Sequence, residues 1–218
     1  MNCDRIARWY RWLEYATCGR ALERRRLRYL DAVTDAKRVL MLGEGDGRFL
    51  GAFVQRSQQS SVDSVEISLE MMRLAKCRAE NGGRVVFHCA DARLFSFPEG
   101  AYDLIATHFF LDCFSTEDSA ALITRIAYAA APKAEWLISE FHQPANGLAH
   151  YWTGILIRAC YFGFRLTTGL ETKRLPEYRE ALKANGFRRM RAELASGGLL
   201  ISELWERDLT PAPIGGLA

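Results

Sequence analysis

The stretch RVLMLGEGDG, residues 38–47, narrows the fold more than any other part of the chain. A short apolar run of strand length ends in three alternating glycines, and a helical segment, Arg48–Gln55, follows at once. Glycines at such a turn let the backbone take conformations closed to other residues and pass close to a ligand. A strand that turns straight into a helix is a unit of α/β architecture, with its ligand at the turn.

The rest of the chain repeats that rhythm. Ser61–Ile67, Arg84–His88, Tyr102–Thr107 and Glu135–Glu140 read as further strands. Leu69–Glu80, stopped by Asn81-Gly82-Gly83, and a segment near Thr116–Ala130 read as helices between them. Strands separated by helices predict a parallel, doubly wound sheet whose strand C-termini share one edge. Residues 147–170 are apolar and aromatic, near membrane-spanning length, but Arg158 and Arg165 interrupt them and His150 and Gly154 weaken them further. A buried or lid helix is expected there, not a span. Pro176–Asn185 is a last helix before Gly186, and Phe187–Leu194 and Leu199–Trp205 flank Ser196-Gly197-Gly198 as an antiparallel hairpin.

The first thirty residues have helical character, with Ile6, Trp9, Tyr10, Leu13 and Tyr15 as a partly helical apolar stripe and Gly19 as a break. Arg24, Arg25, Arg26 and Arg28 cluster in the segment that follows; diluted by Glu23 and Asp31, they read as a solvated helix face rather than a phosphate site. The expected organisation is an N-terminal helical cap over 1–35, a ligand-binding domain over 36–208 with a helical insertion at 147–170, and a flexible tail over 209–218.

Composition excludes several partner classes. With 29 Lys+Arg against 26 Asp+Glu, the net charge of +3 is too balanced to make nucleic acid the default partner. The cysteines, Cys3, Cys18, Cys77, Cys89, Cys113 and Cys160, form no C-x-x-C pair and lie at no zinc-finger spacing from a histidine, so no metal site is expected. Scattered single thiols and the absence of a signal-peptide apolar core within residues 1–20 point to a cytoplasmic protein.

The glycine loop carries the chemistry. Its spacing is G-x-G-x-G, whereas a dinucleotide fingerprint places glycine where Arg48 stands. Glu44 and Asp46 within the loop would repel a pyrophosphate but not a ligand bearing an ammonium and a sulfonium. Glu66, 23 residues after Gly43 at a strand end, suits two ribose hydroxyls, its other reading being a solvated acid. Asp91, just past the third strand, suits the exocyclic amine of an adenine or the cap of a helix.

Four segments, RVLMLGEGDGRFL (38–50), SVEIS (64–68), FHCADARLF (87–95) and YDLIATHFFLDCF (102–114), together resemble the class I S-adenosylmethionine-dependent methyltransferase family. The resemblance is strongest over residues 36–140 and extends to 206. It implies a Rossmann-like seven-stranded sheet of order 3-2-1-4-5-7-6 with strand 7 antiparallel. It implies S-adenosylmethionine as cofactor, with Gly43, Gly45 and Gly47 along its methionine part, Glu66 at the ribose, Asp91 and Ala92 at the adenine, Glu44, Asp46 and Ile67 as further cofactor contacts, and His108 bordering both cofactor and acceptor. The family usually carries an acid two residues before the first loop glycine; here that residue is Met41, and Glu44 or Asp46 is the nearest substitute.

Methyl transfer from a sulfonium needs alignment, exclusion of water and, for a phenol or enol, removal of a proton. His108 after the fourth strand and His142 after the fifth are the candidate catalytic residues. Tyr10, Tyr15, Phe110, Phe114, His142 and Trp152 are the candidate acceptor contacts, with ordinary core packing the competing reading for each aromatic. An apolar cover implies a small, largely apolar or aromatic acceptor taken by a monomer or homodimer. The alternatives are a non-catalytic S-adenosylmethionine-binding module and a nicotinamide-dependent oxidoreductase, which Arg48 disfavours.

Overall fold

A computed structural model describes residues 20–79, 84–168 and 174–208, with 162–168 followed as helical backbone only. The predicted N-terminal stripe with Tyr10 and Tyr15, and the tail 209–218, lie outside the described residues. The strands are β1 (Arg38–Leu42), β2 (Ser61–Glu66), β3 (Val85–Cys89), β4 (Tyr102–His108), β5 (Ala130–Phe141), β6 (Phe187–Ala195) and β7 (Leu200–Arg207). The helices are α1 (Ala21–Arg26), α2 (Arg48–Arg56), α3 (Leu69–Arg78), α4 (Thr116–Ala129), α5 (Gly147–Thr168) and α6 (Tyr178–Ala184). One seven-stranded sheet has the order β3-β2-β1-β4-β5-β7-β6. The first five strands run parallel, and β7 lies antiparallel between β5 and β6. This is the sheet order and strand direction that the resemblance implies.

The central strands are apolar on both faces because both faces are covered. Leu40, Leu42, Ile105, Trp136 and Ile138 pack with Leu122, Ile123 and Ile126 of α4. Val39, Met41, Leu104, Ala106 and Leu137 pack on the other side with Phe49, Leu50 and Phe53 of α2. Trp136, fully buried, donates its indole N–H to Thr107 Oγ1 at 3.0 Å, so its polar tip is satisfied. Helix starts follow local chemistry. Ser68 Oγ accepts from the Met71 N–H ahead of α3, and Ser115 Oγ from the Asp118 N–H ahead of α4.

Most predicted boundaries lie within two residues of the observed ones, and the fifth strand departs furthest. The fifth strand begins at Ala130 rather than Glu135, because Ala130 already pairs with Tyr102 before a register shift. Lys133, at φ 62°, follows Pro132 there and breaks the alternation that would mark a strand in the sequence. The last helix starts at Tyr178, two residues later than Pro176, and its N-cap position, Glu177, makes no side-chain cap.

α6 is fastened to the β6–β7 edge through Glu203, a fully buried acid. Its carboxylate accepts from Tyr178 Oη (2.8 Å), Arg179 Nε (2.9 Å) and an Arg189 terminal nitrogen (2.9 Å). Burial pushes the Glu203 carboxyl up, but Arg179 and the hydrogen bonds from Arg189 and Tyr178 outweigh it and leave it below its ordinary range. A depressed folded pKa contributes stability above the unfolded value, lost as pH falls through the folded one. Glu203→Ala should therefore lower stability by ~2–3 kcal/mol at neutral pH. The difference should shrink on acidification below about pH 4 in urea titrations.

Candidate active site

The glycine turn is built by close approach. Gly47, the N-cap position of α2, has φ 76°, and a Cβ there would lie 2.6 Å from the Cα and Cβ of Ala75 on α3. A Cβ on Gly43 would lie 2.2 Å from the Phe110 ring. Gly45 differs: φ is 59°, but a Cβ would meet nothing within 4 Å among the described residues. Two glycines let neighbours pack on the turn, and the middle one leaves open space above it.

Glu66 closes the side of that space. Its carboxylate accepts from the Gly45 N–H at 3.0 Å and the Ser68 N–H at 2.9 Å, which ties the loop to the end of β2. Ile67 beside it is exposed. Asp91 accepts from the backbone and guanidinium of Arg93, and the side-chain bond holds its carboxyl below the usual range. Ala92 next to it is buried.

The two loop acids divide. Asp46 is held by Arg48 at 3.0 Å and Arg78 at 2.9 Å, so two guanidiniums balance its charge. Glu44 turns inward, and its Oε2 accepts from the Leu50 N–H at 2.9 Å in the first turn of α2. Burial raises the Glu44 carboxyl to about 7, against the pull of that bond and of Arg26. Met41, where the family usually has an acid, is fully buried in the apolar layer under α2.

Arg26 is a feature that the sequence reading missed. The arginine run was expected to be a solvated face, which holds for exposed Arg24 and Arg28 but not for buried Arg26 or for Arg25, whose side chain is largely covered and pairs with Glu193 at 2.8 Å. The reason lies in the sheet. The Arg25 carbonyl accepts from both Ser139 Oγ and Ser202 Oγ at 2.9 Å, clamping α1 to β5 and β7. That clamp carries the Arg26 guanidinium to 5.1 Å over the Phe109 ring, where its charge acts on both Glu44 and His108. Two buried serines on strands were the one trace of this in the sequence.

His108, at the end of β4, packs on Phe49 at 4.4 Å between ring centroids and is buried. Neither ring nitrogen has a hydrogen-bond partner among the described residues. Burial, with Arg26 added, pushes it down to about 3, so it stays neutral at physiological pH. A histidine so depressed is a weak base, and its neutral ring offers one N–H donor and one acceptor nitrogen. His142 is different. Its Nδ1 lies 2.8 Å from the Gly198 carbonyl oxygen. A carbonyl only accepts, so Nδ1 carries the hydrogen and neutral His142 keeps Nε2 as a bare acceptor.

The expected acceptor contacts fall into two groups. Phe110 and Phe114, 5.1 Å apart edge to face, lie against Gly43 and under the Arg93 guanidinium, toward Asp91. His142 and Trp152 meet instead at the turn after β6, where a Cβ on Gly197 would lie 2.7 Å from the Trp152 ring. Between the groups sits a buried acid pair that the sequence reading also missed. Glu140 Oε1 accepts from the Phe110 and Leu111 N–H groups at 3.1 and 2.9 Å. Burial and facing Asp112 push Glu140 well above the carboxylate range, and burial raises Asp112 to about 6.

Comparison with known proteins was made on this frame. The methyltransferase-domain family profile matches residues 39–133. A demethylmenaquinone methyltransferase of Thermus thermophilus is 29% identical over 112 residues, which are 51% of this chain and 50% of that protein. The chain thus aligns with about half the length of that curated relative. The magnesium protoporphyrin IX methyltransferase of Synechocystis PCC 6803, crystallised with S-adenosylhomocysteine, superposes with a TM-score of 0.62 at 20% identity, covering 86% of this chain and 82% of that one. An O-methyltransferase family 2 protein of Planctomyces limnophilus in complex with apigenin gives 0.65 at 19%, covering 93% and 62%.

A carboxyl raised in the fold contributes stability below its unfolded pKa and loses it as pH rises toward the folded one. For Glu44, a rise from 4.5 to about 7 amounts to ~3–4 kcal/mol at most, at ~1.4 kcal/mol per pH unit. Glu44→Gln should flatten the fall in ligand-free stability between pH 5 and pH 8. A slope equal to that of the parent chain in urea titrations would show that Glu44 is not the group responsible.

Proposed function

We propose that this chain, a class I S-adenosylmethionine-dependent methyltransferase by its matched domain and its fold, transfers a methyl group to a small, largely apolar or aromatic acceptor. The observation that carries the reading is the open space over Gly45 beside the Glu66 carboxylate, on a glycine turn whose Glu44 feels a buried cation, Arg26.

These residues fit the cofactor. Glu66 suits the ribose hydroxyls, Ile67 and Ala92 suit the faces of an adenine, and Asp91 its amine. The glycine loop, with Glu44 below it, suits the methionine end. Arg26 is a cation suited to an α-carboxylate, and His108, neutral, is a hydrogen-bonding group without a partner among the described residues. When bound, the cofactor supplies an electrophilic methyl on sulfur. The chain supplies the rest. The glycine turn and the 109–113 turn held by Glu140 orient and exclude water, and Nε2 of His142 takes the acceptor's proton.

The small-acceptor reading draws on relatives whose names give a demethylmenaquinone and a magnesium porphyrin as substrates, and on one bound to apigenin. It also draws on the aromatics Phe110, Phe114 and Trp152 beside the site.

S-adenosylhomocysteine at a hundredfold excess over its Kd should stabilise the chain by ~2.7 kcal/mol; no thermal shift at millimolar ligand would remove the assignment. Glu66→Ala and Arg26→Ala should each weaken that binding by ~1–3 kcal/mol in calorimetry, with the fold checked by circular dichroism. His142→Ala should lower turnover of hydroquinones or phenols by about 10²-fold or more while leaving cofactor affinity unchanged. Binding without turnover across hydroquinones, phenols and flavonoids would instead make the chain a cofactor-binding module.

A further inference from the structure

The helix α5 is inverted relative to a normal surface helix. Its inner face is seated: Thr153, Ile157 and Tyr161 are buried, and Tyr161 Oη donates to the Asp112 carbonyl at 3.3 Å. Its outer face is also apolar. Leu148 is 88% exposed, Tyr151 71%, Ile155 66%, Leu156 42% and Trp152 37%. At 100° per residue these five positions span an arc of roughly 140°, the width of the apolar stripe that usually faces a core.

Charge identifies what the stripe meets. Residues 147–168 contain no acid, and their charged residues are Arg158 and Arg165. Arg158 is exposed beside the stripe. An apolar arc with Tyr and Trp among its residues, no acid on its own helix and the exposed Arg158 beside it matches the surface of an anionic bilayer, where rings settle at headgroup depth and an arginine meets phosphates. The stripe is too narrow for a stable protein partner, which needs ~20–30 residues a side. Among the described residues no helix is long and apolar enough to cross a membrane, so the contact lies along the surface.

We propose that α5 docks this protein on anionic lipid membranes through Leu148, Tyr151, Trp152, Ile155 and Leu156, with Arg158 at the headgroups. The helix begins at Gly147, with five residues between it and the end of β5, and its Trp152 lies against the turn that His142 also contacts, so the docked face adjoins the proposed acceptor side. That last consequence, supply of an acceptor dissolved in the bilayer, rests on the methyltransferase reading; the docking does not.

The test is co-sedimentation of the full chain with vesicles of phosphatidylcholine alone and of phosphatidylcholine with phosphatidylglycerol. Binding is expected to the mixed vesicles, to weaken in high salt, and to fall about tenfold or more in the double variant Leu148→Asp, Ile155→Asp. Both positions point to solvent, so the variant should keep the parent's melting temperature and S-adenosylhomocysteine affinity. Absence of sedimentation with either vesicle overturns the proposal, as does equal binding to both. A homodimer in light scattering that the double variant dissociates also overturns it, since a second copy would then cover the stripe. Sedimentation needs no turnover, so failure here is distinct from failure of the enzymatic assignment.

Discussion

Everything at the functional edge depends on how closely three chain segments approach one five-residue turn. Phe110 rests where a Cβ of Gly43 would be, and Ala75 rests where a Cβ of Gly47 would be. Side chains at either position would push the β4 turn or α3 outward and open the edge. With both approaches made, the middle glycine is left facing space, and Glu66 is near enough to bind its amide. The contact network thus produces a cleft by packing tightly on either side of it.

Electrostatics in this corner is set by burial rather than by net charge. Glu44, Arg26 and His108 are all buried, and the charge of Arg26 acts on both of the others. A buried carboxyl near neutrality, a buried guanidinium and a neutral imidazole form a set that discriminates between ligand groups by sign. The cation is there because Ser139 and Ser202 hold the Arg25 carbonyl against the sheet. A short helix at the start of the chain therefore becomes part of a site built mostly by strand ends.

The candidate acceptor residues are divided in the same way. Phe110 and Phe114 belong with the glycine loop and the Asp91 turn, whereas His142 and Trp152 belong with the turn between β6 and β7. The Asp112–Glu140 pair lies between them and holds the amides of the connecting turn. α5 bridges both worlds, with its inner residues on this acid pair and its outer residues bare.

The strands and most helices are legible in the sequence because their signals are local. Apolar runs such as Val39–Leu42, serine caps such as Ser68 and Ser115, and the glycine turn each specify their own conformation within a few residues. The rhythm of strands and helices gave a parallel, doubly wound sheet, and its strand order came from the resemblance. Local signal failed at Pro132-Lys133, where pairing with Tyr102 extends a strand that its own sequence does not mark. It failed again at Arg26 and at the Asp112–Glu140 pair, since a residue's burial is decided by what folds over it. The sequence alone determined the element types and the turn after β1. Tertiary structure decided which charges are buried, which histidine keeps a usable lone pair, and which aromatics share a wall, because those depend on contacts between residues far apart in the chain.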